Sequence, residues 1–244
     1  MNKEYLAKRM PDGFTIAAAM LVLVALVAQF AVAQDPEAQQ KLAAVKEAAA
    51  KNKQALAQYA WTERQTISLK GEVKKQTTYE VRLGPDGQPQ KTEVAAMPQS
   101  SGGGREGRVK EHVKEKKKQE FEEYGQQLAA LAHQYAQPDP TRLQEAFQQG
   151  NVTVGSAGAA GELQMVIKNY IKPNDKVTLM FNQQTKAIKS VQVASYLKDP
   201  KDAVEISAQF AQLPDGTNHV ANMMVNGTSK KLTVATQNSN YQKL

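Results

Sequence analysis

The chain of 244 residues contains no cysteine. That absence excludes disulfides, thiolate nucleophiles, cysteine metal ligands and lipid attachment to an N-terminal cysteine. Histidine is almost as scarce: His112, His133 and His219 stand far apart, and none belongs to a two-histidine zinc motif. Aromatic residues make up only 6% of the chain, so the net charge of +7 is not accompanied by the pattern of a nucleic-acid surface. No serine occupies a nucleophile-elbow context. Gly102-Gly103-Gly104 lacks the lysine and the serine or threonine of a phosphate loop. Asp199, Asp202 and Asp215 fall in turn signals, where aspartate bonds its own backbone. Nothing here points to an enzyme, a metal, a cofactor or a nucleic-acid partner. A hydrophobic content of 41% nonetheless suffices for a folded core.

What the sequence does contain is alternation. Val177, Leu179 and Phe181 share one side of a predicted strand, followed by Val191 with Val193, by Val204, Ile206, Ala208 and Phe210, and by Leu232 with Val234. Strand side chains point alternately to opposite faces, so this period of two predicts strands with one buried side. Lys172-Pro173-Asn174-Asp175, Asp199-Pro200-Lys201-Asp202, Pro214-Asp215-Gly216-Thr217 and Asn226-Gly227 separate them. Proline presets φ for a turn, and glycine and asparagine accept positive φ. Strands joined so tightly must be antiparallel. Val220 and Met224 fall on one face of the strand from His219 to Val225, with Ala221, Met223 and Val225 on the other. Two apolar faces predict that both are covered or that one lines a cavity. Met180, Met223 and Met224 would lend such a cavity adaptable surface.

Upstream, Lys3, Lys8 and Arg9 precede an apolar run from Phe14 to Val27, with small residues at Ala31 and Ala33. This is the pattern of a secretory signal over residues 1–33, cleaved near Ala33, and implies a periplasmic or secreted protein. The rival reading is an uncleaved inner-membrane anchor over residues 14–33, close to the ~20 residues that span a bilayer. Residues 34–244 then form one α+β domain. Asp35-Pro36 opens a helix with Leu42, Val45, Ala49, Leu56 and Tyr59 on one face. Strands follow at Trp61 to Leu69, Val73 to Leu83 and Lys91 to Ala95, with turns at Lys70-Gly71 and Gly84-Pro85-Asp86-Gly87.

Residues 98–105 read as a flexible linker, and residues 106–150 as a helical insertion. Val109, Val113, Phe121, Tyr124, Leu128, Leu131 and Tyr135 recur at spacings of three and four, but Lys117 interrupts the stripe. The pattern predicts a charged, projecting first half and a packed second half. Lys114, Lys116, Lys117 and Lys118 on the first half are candidate contacts for an anionic membrane surface or a partner, at roughly 1 kcal/mol per lysine near such a surface. A second helix runs from Thr141 to Gln149, and Asn151 to Gly161 reads as a loop.

The fold expected is α+β: a curved antiparallel sheet, an open half-barrel of about nine strands, with an N-terminal helix and a helical insertion packed on it. In this order of elements the chain resembles the periplasmic lipoprotein-carrier (LolA-like) superfamily. The stretches Asn169-Tyr170-Ile171-Lys172-Pro173-Asn174-Asp175 and Asn238-Ser239-Asn240-Tyr241 are similar to those of uncharacterised secreted bacterial proteins. The carrier resemblance implies a non-enzymatic envelope protein with a lipophilic ligand or lipoprotein partner in an apolar cleft. Leu179, Phe181, Val191, Val193, Ile206 and Phe210 are the residues expected to line it. The alternative is a structural or protein-interaction module with a solid core and a charged docking helix.

Overall fold

The computed structural model describes residues 50–85, 87–96, 108–136, 139–158, 161–185 and 187–244. The signal or anchor segment and the linker lie outside these residues. A helical stretch, α1 (50–56), leads into β1 (Tyr59–Leu69), β2 (Glu72–Leu83) and β3 (Pro89–Ala96). Two helices follow, α2 (Arg108–Ala136) and α3 (Pro140–Gln148). The chain then runs through β4 (Val152–Ser156), β5 (Glu162–Lys168), β6 (Lys176–Asn182), β7 (Ala187–Tyr196), β8 (Ala203–Gln212), β9 (Asn218–Gly227) and β10 (Leu232–Lys243).

All ten strands join one antiparallel sheet in the order β3-β2-β1-β10-β9-β8-β7-β6-β5-β4. The architecture is the expected α+β open sheet, with one strand more than nine. Every neighbouring pair is a hairpin except β1 and β10, which pair over most of their length. The insertion therefore carries the chain from the β3 edge to the β4 edge, and this crossover lays helices over one face.

Strand alternation supplies the buried side of that face. Ile167, Val177, Leu179, Val191, Val193, Val204, Ile206, Val225 and Val234 are buried in one apolar cluster with Leu128, Leu131, Tyr135 and Leu143 of the helices. Asp139 caps α3, its side chain accepting from the Thr141 and Arg142 amides, with Pro140 at the first helical position.

Four features depart from the sequence reading. Val152 to Ser156 is the edge strand β4 and not a loop; its residues are largely exposed, so it carries no burial pattern to read. Tyr59 opens β1 and does not continue the helix. In β9, Phe210 pairs with Val220 and Gln209 with Asn222, leaving Ala221 as an extra residue. That bulge brings Val220, Met223 and Val225 into the core and turns Met224 out to solvent, 41% exposed. One buried face results, with Met223 buried in the core and Met224 half exposed. Lastly, Gly227 lies in β9, and the hairpin turn is Thr228 to Lys231, with Lys231 at φ 50°.

Candidate functional site

Two buried features occupy the covered face: the apolar layer under α2 and α3, and an aromatic corner at the opposite end of the strands. The β5–β6, β7–β8 and β9–β10 connections lie at one end of the sheet, and α2 crosses that end. Tyr124 and Tyr135 are 11 residues apart, about 16 Å along a helix, close to the ~14 Å spanned by three strand spacings. One helix therefore reaches from the β9–β10 turn to the β5–β6 loop. The hydroxyl of Tyr124 donates to Asp202 at 2.8 Å and accepts from Ser229 at 3.1 Å. The hydroxyl of Tyr135 donates to Asp175 at 2.5 Å and lies 2.7 Å from Ser195 Oγ. Burial pushes both phenols above their usual range.

Gly227 is where α2 meets the sheet. A Cβ there would stand 2.6 Å from the Tyr124 ring and 2.9 Å from Leu128 Cδ1, so only glycine admits the tyrosine. Asp175 is the other anchor. It is 1% exposed and accepts from the amides of Tyr170, Ile171 and Lys172 at 2.6 to 2.8 Å besides Tyr135. Four donors hold a buried carboxylate whose charge also acts on the nearby Lys172 ammonium, which suits a structural knot. Tyr170 accepts from the Asp139 amide at 2.9 Å, so the start of α3 is tied to the same loop. The stretch Asn169 to Asp175 is thus a fastening for the helices.

Of the six expected cleft residues, Leu179, Val191, Val193 and Ile206 are almost fully buried in the apolar layer. Phe181 and Phe210 are half-buried and pack against its margin. Both lie toward the ends of β6 and β8 that are remote from the tyrosine fastenings. Phe181 pairs with Ile188, and Phe210 with Val220. The backbone of Lys114, Lys116, Lys117 and Lys118 is helical, in α2; their side chains lie outside what the structure describes.

The aromatic corner went unseen in the sequence. Tyr241 stacks on Trp61 at 5.5 Å between ring centroids, meets Tyr59 edge-on at 6.4 Å, and lies 4.2 Å from the His219 ring. Asn238 Nδ2 donates to the Val220 carbonyl at 2.9 Å, and the Tyr241 hydroxyl reaches the same oxygen at 3.4 Å. Asn218 donates to the Ile188 carbonyl, and Asn52 of α1 clamps the Asn218 backbone through both its amide atoms. Glu63 is buried and paired with Lys91 at 2.5 Å. Burial lowers the basicity of His219, and burial together with the Glu63 charge raises the Tyr241 phenol. Trp61 Nε1, His219 Nδ1 and Asn238 Oδ1 are buried here without a hydrogen-bond partner, as is Thr77 Oγ1 on β2.

Two open hollows of about 460 Å³ each lie elsewhere. One is on the bare face, among Arg64, Ser207, Asn222, Met224 and Gln237, and the other lies between α3 and the β5–β6 loop. The predicted cleft residues line neither. Among the described residues, no group of histidine and acidic side chains could hold a metal, and no helix is long and apolar enough to cross a membrane.

This geometry defines an α+β protein whose open antiparallel sheet is covered on one face by fastened helices. No family model matches the sequence, and no curated protein matches it. Two solved structures are similar. A DUF1329 family protein from Desulfovibrio piger aligns over 82% of this chain and 92% of its own, at 13% identity and a TM-score of 0.37. A LolA superfamily protein from Nitrosomonas europaea aligns over 78% and 87%, at 8% identity and a TM-score of 0.34. Superpositions this loose assign no activity to the chain.

Proposed function

We propose that the chain is a non-enzymatic, exported envelope protein that takes up a lipophilic ligand or lipid-bearing segment between its sheet and its helices. The observation that carries this reading is the uneven fastening of the cover. Polar bonds from Tyr124, Tyr135 and Asp139 hold α2 and α3 along one end of the sheet, whereas α1 is bonded at the other through Asn52. At the other end the apolar layer comes to the surface at half-buried Phe181 and Phe210. A cover held at one end can lift at the other, and the side chains exposed would be Phe181, Phe210, Leu179, Val191, Val193 and Ile206. Roughly 100 Å² of apolar surface buried there by a ligand is worth about 2.5 kcal/mol before ordering costs. Lys114, Lys116, Lys117 and Lys118 would bring the protein to an anionic membrane surface, where such ligands reside.

The experiment is uptake of a fluorescent fatty acid. The wild-type protein binds it, Phe181→Ala weakens binding while the protein stays folded, and Phe181→Asp abolishes it. Export is tested by intact mass of periplasmic material, which should begin at Gln34; a full-length chain confined to the inner membrane supports the anchor instead. A second reading, a protein-interaction module with a solid core, is favoured by the 1–3% exposure of Leu179, Val191, Val193 and Ile206. It predicts no uptake, with Phe181→Ala lowering only the melting temperature.

A further inference from the structure

The aromatic corner holds three of the four buried, unpartnered polar atoms among the described residues, and the proposed lipid reading gives them no task. Trp61 Nε1 can only donate, Asn238 Oδ1 can only accept, and His219 Nδ1 does one or the other according to its tautomer. Native proteins leave few buried polar groups unsatisfied, so three around one tyrosine ring call for a partner. The connection between the three is direct. Trp61 and His219 both touch the Tyr241 ring, and Asn238 and the Tyr241 hydroxyl share the Val220 carbonyl.

The corner also adjoins the apolar margin. Val220 pairs with Phe210 across β8 and β9, and Asn218, two residues before it, bonds the carbonyl of Ile188, the partner of Phe181. A row thus runs from the half-buried phenylalanines to the unpartnered polar atoms. The charge balance narrows what could sit at its end. Glu63 is buried beside Tyr241 and its charge acts on that phenol, so an anion in the corner would lie near a buried carboxylate. Burial lowers the basicity of His219, which disfavours a charged ring in the corner.

We propose that this corner is a subsite for the neutral, hydroxylated headgroup of a lipid, a vicinal diol attached to an apolar chain. Two hydroxyls suffice for the three atoms: one accepts from Trp61 Nε1, and the two donate to Asn238 Oδ1 and His219 Nδ1. The chain would follow the row toward Phe210 and Phe181. This subsite rests on the lipophilic reading above and specifies the ligand class.

Three probes of equal chain length separate the two claims: monooleoylglycerol, methyl oleate and oleate, titrated against the full protein. The diol lipid should bind best, by about tenfold or more over methyl oleate, because one net hydrogen bond is worth about a factor of five and the diol makes more than one. Trp61→Phe, which keeps the stack on Tyr241, should lose about fivefold for monooleoylglycerol and leave methyl oleate unchanged. His219→Phe, which keeps a ring against Tyr241, serves as the independent second variant with the same expected pattern. Equal affinity for the three lipids, or variants that alter all of them alike, overturns the subsite while the lipophilic reading stands; the polar atoms are then met by ordered water. Preference for oleate also overturns it. Binding of none overturns both.

Discussion

Replacing Gly227 with alanine tests how the helices are seated. The backbone of Gly227 is not in the left-handed region, so alanine brings no conformational strain there. Its Cβ would instead stand 2.6 Å from the Tyr124 ring and hydroxyl and 2.9 Å from Leu128 Cδ1. The ring cannot swing aside cheaply, because its hydroxyl is bonded to Asp202 and Ser229. Overpacking of this kind costs about 1–3 kcal/mol. Loss of a hydrogen bond at Tyr124 adds about 1 kcal/mol. The expected destabilisation is therefore about 2–4 kcal/mol. At about 2–4 °C per kcal/mol for a chain of this size, that is a fall in Tm of roughly 4–16 °C. The decisive comparison is a double-mutant cycle with Tyr124→Ala, read by urea unfolding. With the ring gone only the terminal methyl of Leu128, the far end of a flexible side chain, still crowds the added methyl, so Gly227→Ala should cost at least about 1 kcal/mol less in that background, the lower end of an overpacking penalty. An equal cost in both backgrounds would refute the steric argument and restore Gly227 to a turn role.

Asp175→Ala strands three backbone amides and the Tyr135 hydroxyl in a buried place; at about 1–3 kcal/mol for each unmet donor, it should cost more than 3 kcal/mol in urea unfolding. A loss below 1 kcal/mol would mean the knot is dispensable. Asp215, bonded by Tyr59 at 2.6 Å and by the Thr217 amide, has its carboxyl lowered from 3.8 to about 2. A lowered folded value stabilises the protein above the unfolded value, so this contribution is complete above about pH 4 and is lost as pH falls through about 2. Asp215→Asn should flatten that part of the acid-unfolding curve; an unchanged curve would show that the bond contributes nothing.

Much of the sheet was legible because its signals are local. Alternation at Val177, Leu179 and Phe181 and the turn residues between strands report burial and φ within a few positions. The packed half of α2 was legible for the same reason, from the spacing of Tyr124, Leu128, Leu131 and Tyr135. What escaped depends on distance or on a single inserted residue. β4 lies at an edge with no buried side, so Val152 to Ser156 shows no period. The bulge at Ala221 reverses the faces of β9 midway, and an unbroken alternation assigns Val220 and Met224 to one side. Gly227 follows asparagine as a hairpin glycine does, yet its small size answers a tyrosine 103 positions upstream, a contact no local pattern encodes. The aromatic corner unites Trp61, His219 and Tyr241, which lie on β1, β9 and β10 and meet only when those three strands pair.

The most direct test of lipid carriage is native mass spectrometry of the protein purified gently from its host envelope, beside the Phe181→Asp variant. Wild-type protein should be heavier than its polypeptide by an extractable apolar molecule, and the variant should stand at the bare polypeptide mass. Wild-type protein found bare, and unable to acquire mass when incubated with lipid, would contradict carriage.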